Sequence, residues 1–410
     1  MGAFFSFFRE NSRWIFGGFL MTFFSSFGQT FFIALSGKQI RTEFDLTNGE
    51  FGGIYMLATL GSAMVLPQVG KLVDIVSVSR TALIVVPLLA FACVSMAFAD
   101  SFYFLLLTLF GLRLFGQGMM THTAMTAVGR WFAGHRGRAV SMVALGQQTG
   151  EMVFPLVFVF VSAAIGWRNS WLAGAFFLVV FALPVIFGLM RVERQPRSTD
   201  KPELAGAARD WKRGEVMRDG LFWAMSIGIF APAFIGTSVF FHQAHLVEIR
   251  DWTQQFFAGS FVIMSIVTVC SGLIAGQLID KFSAIRILPF FLLPLGVACL
   301  CLGLIEAGFG LFFYMALLGV SYGTATTLFG ALWPEIYGTK HLGSVRSIIV
   351  ALMVLSSALG PGITGYLIDY GIPFPSQIVV MGLYCLAVSL VMLFVSRQVA
   401  SRQRAELAAI

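Results

Sequence analysis

Two oppositely charged residues, Arg113 and Glu151, lie deep inside long apolar stretches of the chain, where an ionisable side chain is costly and usually functional. Arg113 follows Asp100 by 13 residues and Glu151 follows Arg138 by 13 residues, a helical rise of roughly 20 Å each. Consecutive stretches run in opposite directions, so both side chains are expected near the middle of a bilayer. A guanidinium and a carboxyl group there could bind an organic anion and carry a proton. A buried structural ion pair is the alternative.

Five further polar side chains lie in apolar stretches and are candidates for the same binding or coupling site: Gln29, Gln117, Gln147, Tyr322 and His242. Gln117 follows Arg113 by four residues, and Gln147 precedes Glu151 by four, so each glutamine shares a helix face with its charged neighbour. His242 could titrate near neutral pH, although a wetted surface histidine is the alternative. These residues extend the predicted site without defining its ligand.

The composition of the chain requires lipid as its main solvent. Of its 410 residues, 58% are hydrophobic and only 11% are charged, against about 25% charged in soluble proteins. This excludes an ordinary soluble enzyme, a secreted disulfide scaffold and a disordered tail protein. The five cysteines lie in apolar runs without metal-ligand spacing, and no nucleotide, haem or zinc motif is present. We therefore predict no metal, no cofactor and no catalytic residue.

Apolar stretches of about 20 residues recur along the chain, which is the length of a helix that crosses a bilayer. We predict an all-α membrane protein with twelve transmembrane helices, near residues 14–36, 49–69, 81–99, 102–127, 139–163, 169–190, 221–246, 254–277, 286–305, 309–333, 343–368 and 377–396. Most of the 27 lysines and arginines then fall on the side that holds both termini. That bias places the termini in the cytoplasm, at a plasma or bacterial inner membrane, and explains the positive net charge without nucleic acid.

The two halves of the chain repeat each other at an offset of 206 residues. The matching pairs are Gly70/Gly276, Leu72/Leu278, Asp74/Asp280, Arg80/Arg286, Gly137/Gly343, Ser141/Ser347 and Pro155/Pro361. The repeat predicts two six-helix bundles, residues 1–190 and 221–410, joined by a cytoplasmic linker over 191–220. A parallel repeat of this kind implies a cavity between the bundles that can open to either side of the membrane. We expect the protein to function as a monomer.

The loops that carry this repeat resemble a known signature. Gly70 to Asp74 resembles the G-x-L-x-D-R-x-G-R-R loop of the major facilitator superfamily, and the stretch from Gly276 through Asp280 to Lys281 resembles it more closely. The resemblance implies the major facilitator fold and a gating role for both loops. Arg113 is similar to the superfamily's arginine in the fourth span. The stretch from Trp131 to Pro155 resembles the monocarboxylate and oxalate/formate branch, which implies a carboxylate substrate.

Together these features predict a secondary active transporter that works by alternating access. The expected cargo is a small organic solute, with a lean to a carboxylate anion, carried by proton-coupled symport. A drug or metabolite exporter that exchanges its cargo for protons is one alternative. A membrane sensor that transports nothing is another, although it would call for a soluble domain that is not evident in the sequence.

Overall fold

A computed structural model of the protein describes residues 2–132, 136–192, 194, 210–338 and 341–408. Within these ranges every regular element is a helix. The spans, α1 to α12 in chain order, are Arg9–Gly28 with Thr30–Glu43, Asn48–Val69, Val78–Phe98, Phe102–Trp131, Ala139–Ile165, Trp167–Met190, Gly220–Phe241, Gln254–Ile279, Ala284–Leu304, Phe309–Tyr337, Ile348–Asp369 and Phe374–Ala405. Eleven are single helices, and the bent pair α1 makes the twelfth. The predicted all-α membrane fold is confirmed.

The first span is bent, whereas the sequence predicted one continuous helix. Its two parts meet at 43°, because a 3₁₀ turn over Ser25–Gly28 is followed by Gln29 in an extended conformation (φ −81°, ψ 151°). Ser25 Oγ bonds to the carbonyl oxygen of Thr22 at 2.6 Å. Serine hydroxyls that bond back to the preceding turn tend to bend helices, and glycine adds backbone freedom. The break thus follows from the local sequence.

The fourth span contains a second irregularity. Its middle, Leu112–Met120, is a π-helix rather than an α-helix. π-helical turns are rare and are frequently found at functional sites. Arg113 and Gln117 both lie in this segment, so the sequence's main candidate cation is held on an unusual backbone.

The repeat detected in the sequence reappears in the helix boundaries. α2 begins at Asn48 and α8 at Gln254, a separation of 206 residues. α3 begins at Val78 and α9 at Ala284, again 206 apart. The turns before α2 and α8 also correspond, because Asp45 and Asp251 both adopt positive φ, 52° and 50°. The offset therefore holds between the loops as well as within them.

The helices form two compact units. The first holds Met1–Thr47 and Gly53–Glu203, and the second holds Asn48–Gly52 and Leu204–Ile410. The linker predicted over 191–220 falls at this division, and its residues 193 and 195–209 lie outside the described residues.

Close helix contacts within each unit depend on small residues. In the first unit, a Cβ atom on Gly146 would lie 2.1 Å from the carbonyl oxygen of Phe19, so α5 packs directly on the backbone of α1. In the second unit, a Cβ atom on Gly319 would lie 2.6 Å from the carbonyl oxygen of Met264, which brings α10 equally close to α8.

Arginines close corresponding helix ends in the two units. In the first unit, Arg168 donates to the carbonyl oxygens of Ala97 and Ala99, at 2.6 and 2.9 Å, just past the end of α3. In the second unit, Arg250 donates to the carbonyl oxygens of Leu302 and Gly303, at 3.2 and 3.1 Å, at the end of α9. The cations satisfy carbonyls that a helix end leaves without partners.

The opposite helix ends are closed in a related way. Arg194 bonds to the carbonyl oxygen of Trp131, at the end of α4, and donates from Nε to Asn11 Oδ1 at 3.2 Å. Arg402 of α12 pairs with Asp219 at 2.8 Å, and Tyr337, at the end of α10, donates to the same carboxyl oxygen at 2.8 Å. In each unit an arginine in or just after the sixth helix thus lies where the start of the first helix meets the end of the fourth.

Candidate functional site

The guanidinium group of Arg113 is buried and bound to the break in α1. Only 3% of the residue is exposed. Nη1 donates to the carbonyl oxygen of Gly28 at 3.2 Å and reaches Thr30 Oγ1 at 3.4 Å. The guanidinium carbon also lies 5.3 Å from the centre of the Tyr55 ring, a cation–π distance. The backbone break, a hydroxyl and an aromatic face therefore hold the cation in place.

Two glycines bring the break of α1 against the π-helix of α4. A Cβ atom on Gly28 would lie 2.1 Å from the carbonyl oxygen of Leu112 and 2.7 Å from the amide nitrogen of Gln117. A Cβ atom on Gly116 would lie 2.6 Å from the Cα atom of Gly28. No larger side chain fits at either position without separating the helices. This close approach is what lets the Gly28 carbonyl reach Arg113.

Glu151 approaches α1 on α5. Only 7% of the residue is exposed, and Gln147 Nε2 donates to its Oε1 at 3.1 Å. Gly150 beside it packs against α1, since a Cβ atom there would lie 2.1 Å from Ser26 Oγ. Glu151 is therefore held next to the same broken segment that binds Arg113 from α4.

The two charges each keep a polar atom without a hydrogen-bond partner. In the described part of the chain, Arg113 Nε and Glu151 Oε2 are both buried and unpartnered, and no ion pair joins the two side chains. Buried charged groups of this kind are costly unless they bind a ligand or change protonation. The structural ion pair that the sequence left open as an alternative is not formed. Each of the two atoms thus keeps an unused hydrogen-bonding capacity.

The neighbouring glutamines occupy different parts of this site. Gln117 lies half-buried on the π-helix one turn beyond Arg113. Gln29 is the extended residue of the break and is 7% exposed. Its carbonyl oxygen accepts from the amide nitrogens of Phe32 and Ile33 at 3.2 and 3.1 Å, so its backbone starts the second part of α1.

His242 lies in the second unit and is not the wetted surface histidine that the sequence left open. It is 3% exposed, and its Nε2 lies 3.0 Å from the carbonyl oxygen of Pro361 on α11. The rings of Phe241 and Phe374 lie 5.2 and 5.4 Å from the imidazole ring. His242 separates α7 from the short helix Gln243–Ile249.

Tyr322 also lies in the second unit, on α10, and reaches α7 at Pro232. Its hydroxyl donates to the carbonyl oxygen of Pro232 at 3.5 Å. The phenol lies directly over Gly236, where a Cβ atom would come within 1.6 Å of the hydroxyl oxygen. The tyrosine can contact α7 only because Gly236 has no side chain.

The two signature stretches, both predicted as loops, differ in conformation: Gly70 and Lys71 form a turn after α2, whereas Gly276 to Lys281 continue the helix of α8. Gly70 donates to the carbonyl oxygen of Leu66 at 2.7 Å, and a Cβ atom there would lie 3.1 Å from His122 Nε2. Gly276 has more space, since the nearest atom to its Cβ position is Thr327 Cγ2 at 3.8 Å. A Cβ atom at Gly70 would also lie 2.8 Å from the Leu66 carbonyl oxygen, so a side chain would require a shift at the first position but not at the second.

The basic residue of the second loop is described, but the two acidic side chains are not. Lys281 Nζ lies 5.2 Å from the ring centre of Phe282, on the exposed end of its helix. The carboxyl groups of Asp74 and Asp280 lie outside the described residues. Their predicted part in gating stays a prediction.

Two residues of the site are absent from the sequence-based prediction. Thr30 and Tyr55 both touch Arg113, and their hydroxyl oxygens lie 2.6 Å apart. Tyr55 lies in an apolar stretch of α2, where a tyrosine is ordinarily interpreted as a packing residue. The serine pair and glycine before Thr30 are the only local signal that the helix breaks there.

Comparison with known proteins agrees with this architecture. A sequence profile of the Major Facilitator Superfamily matches residues 18–361 and also residues 272–409. The chain belongs to this superfamily. It is therefore a multi-pass membrane protein and a transporter of small solutes, as the signature loops implied.

Individual members of the superfamily resemble the chain weakly in sequence and closely in fold. Monocarboxylate transporter 11 of Mus musculus is 24% identical over 320 residues, which cover 74% of this chain and 69% of that protein. Crystal structures of a bacterial homologue of the human lysosomal transporter Spinster superpose with TM-scores of 0.67 when unoccupied and 0.68 when occupied. Their identities are 16% and 17%. The unoccupied structure pairs 97% of this chain with 98% of the homologue, and the occupied one 96% with 96%.

Proposed function

We propose that the protein carries a small organic carboxylate across the membrane together with a proton, with Arg113 binding the anion and Glu151 the proton. The observation that carries the proposal is the pair of buried, unpartnered atoms, Arg113 Nε and Glu151 Oε2, on two helices that both pack against the broken span. The likeness to a monocarboxylate transporter supports the choice of substrate class.

The geometry around Arg113 suits a carboxylate. Its Nη1 is engaged by the Gly28 carbonyl and Thr30, while Nε is free to donate. A guanidinium group binds carboxylates through parallel N–H donors, which gives both affinity and orientation. A neutral or cationic cargo would leave this buried charge without a counter-ion.

The surroundings of Glu151 suit a proton carrier. Gln147 donates a hydrogen bond to its carboxyl group, and no cation of the described residues lies within ion-pair distance. An uncompensated carboxylate at this depth costs several kcal/mol, on the order of the penalties measured for charges in membranes. Binding a proton removes that cost. If an anion at Arg113 screens the nearby positive charge, anion and proton favour each other's binding reciprocally, which is the basis of symport.

The second candidate is an exporter that exchanges a drug or metabolite for protons. It is consistent with the same Glu151 and with the aromatic side chains that line α1 and α5, where the rings of Phe23 and Phe154 lie 4.6 Å apart. In that case Arg113 is structural and the cargo does not contact it. The two candidates differ in whether Arg113 is needed for binding.

The experiment is a thermal-shift screen of purified protein against small carboxylates, sugars and amines, followed by uptake of the best ligand into proteoliposomes with an imposed pH gradient. We expect a carboxylate to stabilise the wild type and Arg113→Ala to abolish that shift. Glu151→Gln should still bind and exchange the ligand but should lose accumulation driven by the pH gradient.

Two results would contradict the proposal. One is that the Glu151→Gln variant accumulates substrate with the same dependence on the pH gradient as the wild type. The other is a ligand shift that Arg113→Ala leaves intact, which would favour the exporter.

We also propose that the loops at Gly70–Asp74 and Gly276–Lys281 gate the cytoplasmic side, with both termini in the cytoplasm and the monomer as the working unit. Support comes from the two copies at one repeat offset and from the exposed Lys281 beside the second loop. Asp280→Asn should increase labelling of single cysteines introduced into the cytoplasmic half, compared with Asp369→Asn at the other end of the bundle. Equal labelling in the two variants would argue against a gate.

A further inference from the structure

The second unit contains an apolar cavity of about 420 Å³ that takes no part in the site around Arg113. Three helices line it, α7 with Phe230, Ala231, Phe234 and Ile235, α11 with Leu355, Ser356 and Leu359, and α12 with Val380, Met381 and Tyr384. The volume falls in the range of about 300–1,000 Å³ for small-molecule sites. The α7 residues lie midway along their helix, which puts the cavity near the middle of the membrane.

The two polar side chains in the cavity wall are already satisfied. Ser356 Oγ donates to the carbonyl oxygen of Phe230 at 2.9 Å, and Tyr384 Oη donates to the carbonyl oxygen of Ile227 at 2.9 Å. Both side-chain hydroxyl donors of the wall are therefore already used. Water needs two to four polar partners to occupy a cavity, so an apolar occupant fits better.

The rim of the cavity is continuous with the apolar outer surface of the helices. Leu355, Val380 and Tyr384 are exposed by 42%, 65% and 40%. The same helix α12 carries other exposed apolar residues beyond the cavity, among them Leu390 and Phe394. For helices that cross a bilayer, such a surface meets lipid hydrocarbon. The opening of the cavity is thus part of the surface that faces lipid.

The equivalent junction of the first unit, between α1, α5 and α6, is filled by aromatic rings. Phe27 and Phe154 lie 5.0 Å apart, and Phe24 and Phe177 lie 5.9 Å apart. At the repeat offset, the first-unit residues and their second-unit counterparts are Phe24/Phe230, Phe27/Ala233, Phe154/Gly360 and Phe177/Leu383.

Three of the four rings are therefore lost in the second unit. One change runs the other way, because Gly174 in the first unit corresponds to Val380 in the second. Of the positions compared, Phe230 and Val380 line the cavity. The corresponding junctions of the two units therefore differ in their aromatic packing.

We propose that this cavity binds one acyl chain of a bilayer phospholipid between α7, α11 and α12. The acyl chain enters past Leu355 and Val380 and packs against Ala231 and Leu359. Hydrocarbon restores the dispersion contacts that an empty cavity lacks, without requiring any polar partner. The bound chain would hold α7 against α11 beside Pro232, independently of the roles of Arg113 and Glu151.

The test uses phosphatidylcholine that carries a photoreactive diazirine on its acyl chain. Wild-type protein is reconstituted with it, stripped of loosely bound lipid in detergent, irradiated and digested, and the labelled peptides are identified by mass spectrometry. We expect the label to concentrate around Leu355 and Val380, well above the signal at Leu390, which is exposed outside the cavity. Equal labelling at Val380 and Leu390 would overturn the proposal, because it indicates ordinary bilayer contact.

Cavity-filling variants make the test specific. Ala231→Phe and Leu359→Trp each place extra volume in the cavity, and both should lower labelling at Val380 to the level at Leu390. Ala351→Phe adds the same ring at an exposed position of α11 outside the cavity and should change nothing. Helical circular dichroism checks folding, and either filling variant suffices if the other is misfolded. Wild-type labelling in a folded filling variant would overturn the proposal.

Discussion

The substitution Gly28→Ala tests whether the break of α1 must lie against the π-helix of α4. The added methyl group would fall 2.1 Å from the Leu112 carbonyl oxygen and 2.7 Å from the Gln117 amide nitrogen. Ordinary contacts of a methyl group are at least about 3.4 Å, so the helices must separate by more than about 1 Å or shift along each other.

Two costs follow from that displacement. Overpacking of a close contact costs about 1–3 kcal/mol. The bond from Arg113 to the Gly28 carbonyl, already 3.2 Å long, would be broken, and a charged hydrogen bond is worth about 1.5–3 kcal/mol. Alanine's better helix propensity offsets at most about 1 kcal/mol. A net loss of about 2–5 kcal/mol lowers the melting temperature by at least about 4 °C for a unit of this size.

The assay is thermal unfolding of purified protein in detergent, followed by tryptophan fluorescence. Gly188→Ala is the matched control, because it lies in α6 of the same unit with no atom within 4 Å of its Cβ position. We expect the control to keep or slightly raise the melting temperature. The close approach of α1 and α4 is wrong if Gly28→Ala unfolds at the wild-type temperature. It is also wrong if both variants lower the melting temperature by the same amount.

Three further predictions concern the second unit, each measured as a melting temperature. Gly236→Ala should lower the melting temperature because its methyl group would overlap the Tyr322 hydroxyl. Tyr322→Phe alone should have a small effect, and in the double variant it should partly restore the melting temperature. Additive decreases in the double variant would contradict the overlap. Arg250→Ala should lower the free energy of unfolding by about 1–3 kcal/mol because it leaves the carbonyls at the end of α9 unbonded. Glu306→Gln should change little, since that side chain is 91% exposed. Equal effects would mean that the ion pair with Glu306, not the helix end, stabilises the unit. Arg402→Ala should lower the melting temperature, and Arg402→Lys should lower it less. Lysine keeps the charge near Asp219 but not the guanidinium plane, whose carbon lies 4.8 Å from the centre of the Trp211 ring. A melting temperature for Arg402→Lys equal to that of the wild type would exclude a role for stacking.

Much of the fold could be predicted from the sequence, because the bilayer imposes a simple rule. A helix must be about 20 apolar residues long to cross it, and the predicted span 254–277 differs from the observed Gln254–Ile279 by two residues at one end. The repeat offset was equally visible, because identical residues in loops keep their spacing. The superfamily followed from the signature loops, and the profile match confirms it.

Helix geometry predicts how far along their helices Arg113 and Glu151 lie, and their depth in the membrane stays a prediction, but it does not predict their partners. Counting residues places a side chain along a helix axis, yet it does not say which neighbouring backbone it meets. The prediction paired the two charges with each other as one alternative. Only the packing shows that Arg113 bonds to the Gly28 carbonyl and Glu151 to Gln147.

The sequence by itself determined the helices, their number and their repetition, because these depend on local hydrophobicity and spacing. Tertiary structure alone decided the chemistry around the charges. The bend at Gly28 and the π-helix at Arg113 expose backbone groups that a regular helix hides, and Tyr55 joins them from a third helix. The apolar cavity in the second unit likewise depends on how three helices, α7, α11 and α12, pack against one another. Such contacts join residues far apart in the chain, so no local pattern of residues encodes them.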